Sequence, residues 1–166
     1  MKRIVALALL VAPLVAGCGL RPVYAGGASG PVASTLAAIS VAPIPNRAGW
    51  LMRNALVDGL GGEKVNAAYR LEVDLDDDIS GFGIRGDRSI TRERRTLRAR
   101  YRLVQQSTGL VLLDATAGSD AGIDVVSSPY ATVAAEQTAL ERLSKVVADQ
   151  IVARLALYAT SRPIGQ

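Results

Sequence analysis

Tyr69-Arg70-Leu71-Glu72-Val73-Asp74-Leu75-Asp76 and Leu97-Arg98-Ala99-Arg100-Tyr101-Arg102-Leu103 share one pattern, an apolar side chain at every second position with a charged one between. Period two is the signature of a β-strand with one face buried and one face in water. In the second strand Leu97, Ala99, Tyr101 and Leu103 would point inward, and Arg92, Arg94, Arg98, Arg100 and Arg102 would share the outer face. Ser107-Thr108-Gly109 follows and suits a three-residue hairpin loop with Gly109 left-handed, leading into a strand that begins near Leu110. Pairing Gln106 with Leu110 sets Leu103 opposite Leu113 and Tyr101 opposite Ala115, so the apolar faces agree. The glycine-rich run Gly81 to Gly86 reads as the turn before the arginine strand. In that register Asp74 faces Arg94 and Asp76 faces Arg92.

Upstream, Leu36 to Ile44 has the branched, partly alternating character of a strand, closed by Pro43 and Pro45. Asn46 is placed to cap a helix from about Arg47 to Leu60, with Leu51, Ala55 and Leu56 on its apolar face and Gly61-Gly62 at its end. Trp50 is assigned to core or interface. Downstream, Ser128-Pro129 introduces a long helix, about Ala131 to Tyr158, whose stripe is Leu140, Leu143, Val147, Ile151, Leu155 and Tyr158. Glu141 and Lys145 are spaced for an i,i+4 ion pair. The order is strand, helix, three strands, helix. The expected fold is α+β, a two-layer sandwich with an antiparallel or mixed four-stranded sheet and two helices packed on one face.

The amino terminus says where the chain lives. Lys2 and Arg3 precede an apolar stretch from Ile4 to Val15, and Val15-Ala16-Gly17-Cys18 follows, the arrangement of a bacterial lipoprotein signal. An ordinary secretory signal with a chance cysteine, or a short membrane helix, are the competing readings. The run is short of the ~20 residues a spanning helix needs, and Cys18 is the one cysteine in the chain. Without a second cysteine there is no disulfide framework. Residues 1–17 are therefore expected to be the signal peptide, and residues 18–35 a lipidated amino terminus and flexible tether, with a span of roughly 20 Å over its Gly- and Ser-rich part. Residues 36–158 would form a single domain and 159–166 a loose tail. Two or three acyl chains on Cys18 would hold firmly where one is marginal. Gly19, where aspartate commonly signals inner-membrane retention, favours the outer membrane.

Composition narrows the chemistry. The chain has no histidine, which removes Ser-His-Asp and Cys-His catalysis and, with Cys18 acylated, leaves no zinc site. Lys64 and Lys145 are the lysines left after the signal, and neither sits in a serine-lysine motif. The expectation is a binding protein, not an enzyme, with no cofactor and no metal. Asp74, Asp76 and Asp78 imitate the start of a calcium loop, but Ile79 stands where that loop needs glycine and Arg85 where it needs glutamate. Gly81 to Gly86 fits G-x-G-x-x-G, yet Asp87 to Thr91 reads as extended, and pyrophosphate would need a helix start there. With Lys2 and Arg3 removed, the 19 basic and 15 acidic residues become 17 and 15. So small a net charge with few aromatics gives no support for nucleic-acid binding.

Cys18-Gly19-Leu20-Arg21-Pro22-Val23-Tyr24, the order of elements, and the alanine-rich helix from Ala134-Ala135-Glu136 through Gln150-Ile151 to Leu155 together resemble the LptE family of lipopolysaccharide-assembly lipoproteins. The resemblance implies partnership with the outer-membrane β-barrel LptD, a position as a plug partly within its lumen, and help in inserting lipopolysaccharide into the outer leaflet. Barrel interiors are polar, which suits a charged exterior. Eight arginines lie between Arg85 and Arg102, and a guanidinium fork suits phosphates such as those of lipid A. Lipopolysaccharide or the barrel wall is therefore the expected partner of Arg92, Arg94, Arg98, Arg100 and Arg102. Cross-strand pairing with Asp74, Asp76 and Asp114 is the alternative use of the row, each pair worth ~0 to 1 kcal/mol. In the expected register Arg98 and Arg100 are left over, with Arg70 near Arg98. Two other functions stay open: a chaperone or pilotin for a different outer-membrane machine, and a cell-wall enzyme built on Asp76-Asp77-Asp78.

Overall fold

The computed structural model describes residues 30–84 and 90–161. The elements are α1 (Pro31–Leu36), β1 (Ile39–Val41), α2 (Asn46–Gly59), β2 (Tyr69–Ile84), β3 (Ile90–Gln105), β4 (Val111–Asp124) and α3 (Pro129–Ser161). Cys18 and most of the expected tether, Gly86 and its neighbours between β2 and β3, and the end of the tail lie outside the described residues.

The sheet has strand order β1-β2-β3-β4. β1 runs parallel to β2, joined to it through α2, and the β2–β3 and β3–β4 pairs are antiparallel. This is the expected α+β sandwich in its mixed-sheet form, with the short helix α1 added before the first strand. Alternation decides the layering. Leu71, Val73, Leu97, Ala99, Tyr101 and Leu103 are buried under the helices, against Met52 and Leu56 of α2 and Leu140, Leu143, Val147, Ile151 and Leu155 of α3. The intervening charged residues stand on the opposite face of the sheet. With 33 residues α3 is about 50 Å long, which matches the ~53 Å reach of a 16-residue strand. One helix can therefore run along the length of the ribbon.

The local differences from expectation have identifiable causes. β1 is shorter than Leu36–Ile44 because α1 takes the first residues and the ladder to β2 stops after Ala42 N–H bonds the Leu71 carbonyl at 2.9 Å, where the chain turns toward α2. Asn46 does not cap α2 through its side chain. Its backbone is left-handed, φ 67°, a conformation that asparagine tolerates better than most residues. The turn brings Gly49 so close to Ile44 that a Cβ would lie 2.6 Å from the Ile44 carbonyl oxygen. At the other end, Gly61 (φ 84°) donates to Asp58 O and Gly62 to Val57 O, at 3.1 and 2.8 Å. Those two bonds are the glycine-terminated Schellman stop. Met52 and Leu56 carry the burial of α2, Leu51 and Ala55 pack only partly, and Trp50 is 62% exposed, outside the core. On α3, Glu141 pairs with Arg47 of α2 at 3.8 Å and Lys145 with Asp149 at 3.4 Å, so the expected Glu141–Lys145 pair is replaced by two others.

Candidate functional site: the open face of the sheet

The face turned away from the helices is a field of charged side chains from three strands, and its pairing depends on register. β3 and β4 place Leu103 opposite Leu113, Tyr101 opposite Ala115, Arg100 opposite Thr116 and Arg98 opposite Gly118, as expected. The route to that register is different. Gln105 N–H bonds Leu110 O at 2.9 Å, so the loop closes on Gln105, not Gln106, and an irregularity between Leu103 and Val104 absorbs the offset. Gly109 is left-handed as expected, φ 73°.

The β2–β3 register is a correction. Asp74 faces Arg100 and Asp76 faces Arg98, instead of Arg94 and Arg92. Gly81 and Gly83 do not turn the chain: β2 continues to Ile84, with Gly83 at φ 78° inside the ladder. Each strand is longer than the glycine run suggests, and the pairing slides accordingly. Arg70 consequently faces Val104, far along the ribbon from Arg98.

The side chains then sort themselves. Arg100 donates through Nε and Nη2 to the two oxygens of Asp114 at 3.1 and 2.7 Å. It reaches diagonally past Thr116, and this fork is a second correction: Arg100 is not left over. The hydrogen bond and charge of Arg100 hold the Asp114 carboxyl below the usual carboxylate range, and Asp114 in turn raises Arg100. Arg102 lies 3.3 Å from Glu72, which also accepts from Arg70 at 2.8 Å. Arg92 meets Asp124 at 3.2 Å, and Arg94 lies 4.0 Å from Asp120 with its guanidinium 5.3 Å above the Phe82 ring. These pairs are solvent-facing, and ion pairs so placed add little to stability.

Arg98 is different. Its cross-strand neighbours are Asp76 and Gly118, and among the described residues it makes no ion pair or hydrogen bond. It borders a shallow depression of about 450 Å³ shared with Asp74, Asp76, Arg100, Thr116 and Gly118. Gly118 lies close against β3, where a Cβ would come 3.2 Å from the Leu97 carbonyl oxygen and 3.4 Å from Arg98 Cγ. The depression therefore offers one guanidinium free to make a forked bond to an anion, beside an unpartnered carboxylate at Asp76.

Arg95 belongs to the other face. It shares the parity of Leu97, points toward the helices, and binds Asp77 through a pair of bonds at 2.7 and 2.6 Å while Nη1 donates to the Glu136 carbonyl of α3 at 2.9 Å. The Asp77 hydrogen bond raises Arg95 against the opposing cost of burial. Parity with Leu97 gives the face that Arg95 takes, but its partners follow from the register of β2 and the placement of α3. Asp74, Asp76 and Asp78 sit in continuous strand, so no loop folds them round an ion.

Comparison with known proteins places this architecture. No curated protein matches at the level of sequence. Among solved structures, a candidate lipoprotein from Caulobacter crescentus superposes with TM-score 0.67 at 24% identity, over 79% of this chain and 97% of that one. Rare lipoprotein B of Shewanella oneidensis gives TM-score 0.59 at 12% identity, over 74% and 95%. Lipoprotein B of Nitrosomonas europaea gives 0.58 at 12%, over 74% and 84%. At such identities these likenesses establish the fold. The sequence profile of the LptE lipopolysaccharide-assembly family matches residues 36–155, from the end of α1 to the last buried leucine of α3, and the chain therefore belongs to that family.

Proposed function

We propose that this protein is a lipoprotein of the outer membrane, anchored by acyl chains on Cys18, that partners and plugs an LptD-type β-barrel and assists lipopolysaccharide to the outer leaflet. It works by binding, without catalysis. The observation that carries the reading is the family match across the folded domain, residues 36–155. The geometry supports it in one respect. A plug must present hydrogen-bonding groups to a polar barrel lumen, and the sheet face left open by the helices carries paired and unpaired charges, not an apolar patch. Arg98 is the contact proposed for a lipopolysaccharide phosphate or an acidic group of the wall, with Arg92, Arg94, Arg100 and Arg102 as a surrounding positive row whose charge is largely answered within the sheet.

The experiment is a detergent pull-down of the lipidated protein from native membranes, with mass identification of what co-elutes, beside a Cys18→Ser variant. The expected result is a stoichiometric outer-membrane β-barrel with bound lipopolysaccharide, and loss of membrane retention in the variant. Recovery of a secretin, or of no barrel at all, would overturn the assignment of partner.

A further inference from the structure

Among the described residues, β2 has a long free edge. β1 covers it only over Tyr69–Leu71, and the last bond on that side is the one from Ala42 to Leu71. Beyond it the chain swings away, and Ile44 to Ala48 stand off from Val73 to Asp77 across a groove of about 610 Å³, with Leu140 also lining it. Tyr69 N–H bonds Ala38 O on this side, at 3.1 Å, and Leu71 offers its carbonyl to it. Because backbone direction alternates along a strand, Val73, Leu75 and Asp77 aim their N–H and C=O groups into the groove. The opposite edge of the sheet is treated differently. There Gly118 N–H on β4 donates to Gln150 Oε1 of α3 at 3.3 Å, so the helix guards part of it.

An exposed edge invites strand addition unless something blunts it. Arg95 and Arg47 also line the groove, but Arg95 is bound to Asp77 and Arg47 lies 3.8 Å from Glu141, so the unanswered charge beside this edge is negative. Asp74, Asp76 and Asp78 form a row on the open face next to the free backbone, and among the described residues Asp76 and Asp78 have no ion pair or hydrogen bond. The same row repels a second copy of this edge. A strand laid into the groove would alternate, with one set of side chains on the Val73, Leu75, Ile44 and Leu140 side and the other beside the aspartates. We propose that the free edge of β2 receives an extended segment of a partner polypeptide, basic at alternate positions and apolar between them, by strand addition beside Val73 to Asp77. This surface goes beyond the family assignment and does not depend on which protein supplies the segment.

The test uses the full lipidated chain in neutral detergent and three labelled peptides of about seven residues: one alternating lysine and valine, a twin with glutamate for lysine, and a third N-methylated at alternate amides. Saturable binding of the lysine peptide is expected, with roughly tenfold weaker binding of the N-methylated form as its ladder bonds are lost. The glutamate twin should not bind, and amide exchange at Val73, Leu75 and Asp77 should slow in the complex. Asp76→Asn with Asp78→Asn should weaken binding roughly two- to tenfold, the scale of two cross-strand charge pairs. Failure of the lysine peptide to bind, equal binding of the glutamate twin, or binding without protection of those three amides would overturn the proposal. So would self-association of the free protein through protected β2 amides, which would make the edge an interface between copies.

Discussion

Arg98 and Arg100 stand two positions apart on one face of β3 and have opposite situations. Arg100 is held by both oxygens of Asp114, whereas Arg98 is unpartnered beside a depression. Arg98→Glu should leave the fold intact and weaken lipopolysaccharide binding roughly tenfold or more, since a hydrogen bond to a charged group is worth about 1.5–3 kcal/mol. A binding titration with circular dichroism as the folding control reads it, and unchanged affinity would remove the lipid role from Arg98 without touching the barrel partnership. For Asp114 the sign follows from its depressed carboxyl. The pair's contribution is complete above the ordinary aspartate value of about 3.9 and is lost as pH falls through the lower folded value. A carboxyl carbon titration should find the Asp114 midpoint below that of an exposed aspartate, and Arg100→Gln should return it toward the ordinary range. A normal midpoint in the parent protein would mean that the fork does not persist in solution.

Among the elements, α3 was the most readable. Five of its six expected stripe residues, Leu140, Leu143, Val147, Ile151 and Leu155, are buried, and Tyr158 packs partly. Ile151 is fully buried, so Ile151→Ala should cost about 2–5 kcal/mol, measured by urea denaturation; a loss under 1 kcal/mol would mean that the helix is not seated on the sheet as described. Its ends were less readable. The helix runs from Pro129 to Ser161 because a few further residues keep their backbone bonds at little cost. α2 shows the same division. Its glycine stop was legible because left-handed residues at a helix end call for glycine, but its start rests on a left-handed Asn46 and a close approach of Gly49 to Ile44, a turn that no capping pattern in the sequence announces. The β2–β3 turn misled for a definite reason: Gly81 and Gly83 look like a turn in one dimension, yet period two in Phe82 and Ile84 lets the strand continue through them. Register then shifts for every charge pair on the ribbon.

At the level of the whole molecule, a single layer of helices on one side of a mixed sheet leaves the other side to water or to a partner. Far-ultraviolet circular dichroism and the near-ultraviolet signal of buried Tyr101 should report one coincident urea transition, as expected where α2, α3 and all four strands share one core. Separated transitions would divide the domain. The charge distribution is also a property of the whole. Nearly every arginine of the expected stripe finds an acid somewhere on the sheet, so charge is close to balanced locally, and the surface is less positive than the run of arginines suggests.

Periodicity, signal composition and the absence of histidine were enough to read the α+β class, the facing of each strand, the long helix, and an expectation of lipid attachment at Cys18. These are local properties, set by one residue's neighbours along the chain. Which aspartate meets which arginine was not readable, because it depends on the length of two strands and on a bulge that reconciles one hairpin with the other. The free edge of β2 was not readable either. Among the described residues it exists because β1 ends at Val41 and the turn at Asn46 carries α2 away, leaving Val73, Leu75 and Asp77 without the neighbour that a longer strand would have supplied.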